Sequence, residues 1–93
     1  MKISYTNKEL IRQVQDVCLN INQYTEHSAF YNFSGHVNSF SISVAKDKEN
    51  FNERIYSSDL YMNTLDEAEI HNRLRGLLSD LQEIENGNWE VTA

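Results

Sequence analysis

The spacing of the apolar residues changes twice along the chain, and that change constrains the fold more than any other feature. Leu10, Val14, Val17, Cys18 and Ile21 recur at intervals of three and four, which puts them on one side of an α-helix. Phe40, Ile42 and Val44 alternate instead with Ser41 and Ser43, the pattern of a strand with one face on a core and one in water. Ile70, Leu74, Leu77, Leu78, Leu81 and Ile84 then return to helical spacing. Amphipathic helices at both ends with short strands between them predict an α+β domain in the order α-β-β-β-α. Each helix has one apolar stripe, so both are expected to cover the same face of a three-stranded antiparallel sheet. The other face would carry Ser39, Ser41 and Ser43.

Local signals place the boundaries. Thr6 and Glu9 stand at capping-box spacing and Tyr5 and Leu10 at hydrophobic-staple spacing, so the first helix is expected from about Asn7 to Gln23. Ala29-Phe30-Tyr31-Asn32-Phe33 is rich in strand-favouring aromatics. Ser34-Gly35-His36 offers a turn, with Gly35 free to take positive φ. Lys46 to Asn50 is a charged connection, and Asn52 to Ser58 reads as a third strand whose register is open. Connections this short favour an antiparallel meander. Thr64 and Glu67 make a second capping box ahead of the last helix, and Gly87 is placed to end it. Gly76, inside that helix, implies a close approach to the first helix. Trp89 and Val91 either fold back on the core or add an edge strand.

The full 93 residues are expected to form one domain, because a single core commonly serves chains up to about 100–150 residues. Such a chain has little room for an enclosed cavity, which points to function on a face. Cys18 is the sole cysteine, so no internal disulfide framework exists. Its place in an apolar stripe reads as a buried hydrophobe and not as a nucleophile. No apolar run approaches the ~20 residues of a membrane span, and Met1 to Tyr5 lacks the apolar region of a signal peptide. A cytoplasmic protein without a membrane role is expected.

The net charge of −6 is unevenly placed. Residues 1–58 hold six acids and six bases and balance. Residues 59–93 hold Asp59, Asp66, Glu67, Glu69, Asp80, Glu83, Glu85 and Glu90 against Arg73 and Arg75, which accounts for all of the −6. Asp66, Glu67 and Glu69 oppose the positive end of the second helix dipole, whereas Asp80, Glu83 and Glu85 sit at its unfavourable end, at a cost of about 0.3–1 kcal/mol each if exposed. These six acids are the candidate protein-binding residues, and a basic protein is the partner they would suit. The simpler reading of the same six acids is a solvated helix face that keeps an acidic protein soluble. Direct nucleic-acid binding is disfavoured, since the bases are dispersed and outnumbered.

No catalytic, cofactor or metal signature is evident. Glu67 and His71 are four residues apart and could offer two metal ligands, but no third is identifiable; His27 and His36 fall at strand ends. There is no Gly-x-Ser-x-Gly elbow, and Gly35, Gly76 and Gly87 are too far apart for a phosphate loop. The helix–three-strand–helix order is similar to that of double-stranded-RNA-binding domains, with Asp66, Glu67 and Glu69 where those domains place lysines. With Asn20-Ile21-Asn22, Asn86-Gly87-Asn88 and no proline, the chain resembles small accessory proteins of Gram-positive phages and prophages. In layout and acidity it resembles phage anti-CRISPR inhibitors that mimic DNA. The likeness is of style and element order and assigns no functional residue. It implies a non-enzymatic interaction protein that binds a basic, nucleic-acid-handling protein. The alternative is a self-associating homodimer, through the open sheet face or an edge strand, and an enzyme is the least favoured class.

Overall fold

The computed structural model describes residues 3–35, 38–49 and 52–89; His36, Val37, Phe51, Glu90 and Val91 lie outside them. The order is α1 (Tyr5–Tyr24), β1 (Ser28–Ser34), β2 (Ser39–Ala45), β3 (Arg54–Tyr61), a short 3₁₀ turn (Met62–Thr64) and α2 (Glu67–Glu85). The strands form one antiparallel sheet in the order β1-β2-β3. The α-β-β-β-α architecture is as expected.

Phe40, Ile42 and Val44 point from the central strand into the core and are almost fully buried. They meet Val14, Val17, Cys18 and Ile21 from α1 and Ile70, Leu74, Leu77, Leu81 and Ile84 from α2. Burial of one such aliphatic side chain stabilises the fold by about 1.5–3 kcal/mol. The helices pack on each other, α1 beside β1 and α2 beside β3. The opposite sheet face carries Ser41, Ser43, Phe30, Ser57 and Asp59, because directly paired residues point to the same side.

Both helix starts lie two residues from the expected positions. Ser4 caps α1, its hydroxyl accepting from the Asn7 amide at 3.1 Å. Thr6 and Glu9 are therefore inside the helix, and Glu9 pairs with Arg12 instead. Tyr5 is 81% exposed, so it forms no staple. At α2 the capping box consists of Asp66 and Glu69, each side chain accepting from the other's amide. Thr64 closes the preceding turn by donating to the Tyr61 carbonyl. α2 ends as expected: Gly87 takes φ +78, with its amide on the Ile84 carbonyl and that of Asn88 on Glu83, satisfying two carbonyls of the last turn.

Three further expectations are corrected. The left-handed residue before β2 is Asn38, at φ 50, and not Gly35; asparagine tolerates that region better than most side chains. β3 begins at Arg54 and continues to Tyr61, past the expected end at Ser58, so that Leu60 enters the core. A register shift opposite Val44 and Ala45 lets Ile55 slip between paired positions. Gly76 is no helix contact, since a Cβ there would have nothing within 4 Å.

Candidate functional site

The acids of α2 are distributed over two flanks. On the α1 flank, Glu67 accepts from the Ser4 amide at 3.2 Å and from Asn7 Nδ2 at 2.7 Å. Glu85, eighteen residues on and so five turns of 3.6 residues further along the same side, accepts from Asn20 Nδ2 at 3.3 Å. On the β3 flank, Asp80 accepts from the Tyr56 hydroxyl at 3.0 Å. Asp66 and Glu69 form the capping box at the start of the helix. Only the Glu83 carboxylate has no hydrogen bond or ion pair among the described residues.

Every donor to these carboxylates is neutral: a backbone amide, an asparagine amide or a tyrosine hydroxyl. The ion pairs of the described residues are Arg12–Glu9 and Lys46–Glu53, neither of them on α2. Neither arginine of α2 forms an ion pair with these acids among the described residues; Arg73 donates to the Asp59 carbonyl at 3.1 Å. The carboxylates are thus held in place while their charge persists. Neutral hydrogen bonds fix geometry without supplying countercharge.

Asn7 is the most buried polar group in this region, at 2% exposure. It spans the Glu67–His71 pair that the sequence offered as metal ligands. Its Nδ2 binds Glu67, and its Oδ1 lies 3.3 Å from His71 Nδ1. Among the described residues no three His, Cys, Asp or Glu side chains gather where they could hold a metal. His27 instead sets its ring 2.5 Å from the Lys46 carbonyl. Lys48 donates to the Asn22 and His27 carbonyls, tying the β2–β3 connection to the end of α1.

Cys18 lies in the core, and burial pushes its thiol up to about 11. Such a thiol is a poor nucleophile at neutral pH, because the thiolate is the reactive form. Burial also raises the Tyr56 hydroxyl, and Asp80 adds to this by accepting its hydrogen bond and by its charge. Tyr56 meets Trp89 edge-to-face, with centroids 5.4 Å apart, and Trp89 Nε1 donates to the Ile55 carbonyl at 3.3 Å. Trp89 therefore folds back against the sheet, one of the two expected placements.

Two other surfaces are open. A groove of about 610 Å³ between the exposed sides of α1 and α2 has Leu10 and Leu78 with Tyr5, His71 and Arg75 along it. On the uncovered sheet face, the Arg54 guanidinium stacks 4.9 Å from the centroid of Phe30. Strand alternation puts Phe30 on the opposite face of the sheet from Tyr31 and Phe33. The pairing of Asn7 and Asn20 with acids sixty and sixty-five residues away has no signal in the sequence, although helical phase alone puts Glu67 and Glu85 on one side. Among the described residues no helix is long and apolar enough to cross a membrane. Comparison of the chain with protein-family models, with curated proteins and with solved structures finds no match.

Proposed function

We propose that this chain is a non-enzymatic interaction protein of the cytoplasm that binds a basic, nucleic-acid-handling protein through the acids of α2. The observation that carries the reading is that every α2 carboxylate but Glu83 is held by neutral donors, so a fixed negative field stands on an ordered helix. A field of this kind speeds encounter with a cationic surface and excludes anionic ones. The layout resemblance to DNA-mimicking phage inhibitors agrees with it. The buried thiol of Cys18, and acids spread over two flanks instead of converging on one point, support a binding role over catalysis.

The test compares the natural chain with a variant carrying Asp80→Asn, Glu83→Gln and Glu85→Gln as immobilised bait in host lysate at two ionic strengths. The expected result is a basic protein retained at low salt, released at high salt and lost with the variant. A Tyr56→Phe bait, which lacks the Asp80 hydrogen bond but keeps the charge, should retain it. Equal capture by both acidic and neutralised baits would refute the reading.

A further inference from the structure

The two margins of the sheet are finished differently. On β3, residue parity is set by the Met62 amide bonding the Asn38 carbonyl, so Tyr56, Ser58 and Leu60 face β2 and their neighbours face outward. Three outward carbonyls of β3 are occupied by side chains: Ile55 by Trp89, Asp59 by Arg73 and Tyr61 by Thr64. Charged Arg54 and Asp59 add to this protection, the usual means by which a sheet edge resists pairing.

On β1, the Ala29 amide donates to Asn22 Oδ1 at 2.7 Å and its carbonyl accepts from Asn22 Nδ2 at 2.9 Å. Ala29 thus turns both backbone groups outward, and α1 fills that position. By the alternation of an antiparallel strand, Tyr31 and Phe33 do the same. Their outward N–H and C=O groups have no partner among the described residues. Their side chains are 51% and 44% exposed. β1 reads Ser-Ala-Phe-Tyr-Asn-Phe-Ser, without charge or proline.

The geometry points to β1 as the docking edge for a second copy of this chain, paired antiparallel about a twofold axis at Asn32. In this register Tyr31 of each copy faces Phe33 of the other, and each pair exchanges both backbone hydrogen bonds. Four bonds form, and two aromatic cross-strand pairs form with them. The Asn22 plug at Ala29 and the turn after Ser34 limit the pairing to these rungs. A groove of about 520 Å³ between α1 and Tyr31, with Leu19 on its rim, leaves room for the incoming rings. Charge favours a second copy over the cationic partner at this edge. α1, β1 and the connection between them, which build it, carry Glu9, Asp16 and Glu26 against Lys8 and Arg12, only −1 of the net −6. α2 packs beside β3 at the opposite margin, with Glu67 and Glu85 turned towards α1. Identical copies therefore meet without the repulsion their net charge would suggest, since exposed charges beyond about 8 Å are screened at physiological salt.

Sedimentation across a concentration series should show the natural chain in a monomer–dimer equilibrium. Tyr31→Pro removes an N–H that the sheet does not use, a position where an edge strand tolerates proline. It should abolish the dimer while leaving the circular dichroism spectrum unchanged. Asn32→Lys, which sets like charges opposite each other across the axis, should abolish it independently. Asn32→Cys tests the register, because a non-hydrogen-bonded pair has a Cα separation of about 4.5 Å, within disulfide range. Oxidised Asn32→Cys should run as a covalent dimer, and Cys18, buried in the core, does not compete. A chain that stays monomeric at the highest concentration, a dimer indifferent to Tyr31→Pro and Asn32→Lys, or no cross-link from Asn32→Cys would each overturn the proposal. None of these outcomes depends on the acids of α2, so it succeeds or fails apart from the proposed function.

Discussion

Asn7→Ala removes the side chain that joins the start of α1 to the start of α2. The wild-type Nδ2 makes one bond to the Glu67 carboxylate at 2.7 Å and one to the Glu67 carbonyl at 3.2 Å, from a residue 2% exposed. A hydrogen bond to a charged group is worth about 1.5–3 kcal/mol and a neutral one about 0.5–1.5. Glu67 is exposed and regains water when released, which places the expected loss at the lower end, about 2 kcal/mol. For a domain of this size that corresponds to a fall in Tm of roughly 8–16 °C. Urea unfolding followed by circular dichroism measures it, and a double-mutant cycle with Glu67→Ala isolates the pair. The expected coupling is at least about 1 kcal/mol. A cost of less than about 0.5 kcal/mol for Asn7→Ala, in the range of ordinary surface substitutions, would refute the reasoning that this clasp holds the helices together.

The remaining predictions concern single side chains. Gly76→Ala should stabilise the fold by about 1 kcal/mol, as the new methyl meets nothing and alanine is the better helix former; a higher urea midpoint with unchanged slope checks it. Tyr56→Phe should cost about 1 kcal/mol at neutral pH, through loss of the Asp80 bond. Its pH dependence has a definite sign. The folded tyrosine titrates above its ordinary value of 10.0, so the stability it contributes is full below pH 10 and lost as pH rises toward the folded value. The wild type should therefore lose stability in alkali more steeply than Tyr56→Phe, which parallel melts above pH 10 would show. Cys18, with its thiol raised to about 11, should stay unlabelled by a thiol reagent at neutral pH and react at the rate of global unfolding when denaturant is added.

Periodicity made the layout legible. The alternation of Phe40, Ile42 and Val44 showed which face of β2 enters the core, and the two helical stripes named nearly all of its helical partners. Cap chemistry was legible by residue type but not by position. Ser4 and Thr6, or Thr64 and Asp66, are capable capping residues two apart, and local sequence gives no ground to choose. At α1 the choice is made by Glu67, which holds the Ser4 amide and Asn7 from sixty residues away. β3 was read too short because Ser57, Ser58 and Asp59 conceal the alternation, and because the shift beside Ile55 breaks its phase. For the candidate site, the charge imbalance was visible at once, but the carboxylates' partners were not. Asn7, Asn20 and Tyr56 became their donors only when the chain folded.

A sheet with one live margin has a limited future as an assembly. When strand addition at β1 joins two molecules, the margins left over are both β3, already stoppered by tryptophan, arginine and threonine. Growth halts there by construction, so the fold can expose an aromatic edge without becoming the seed of a fibre.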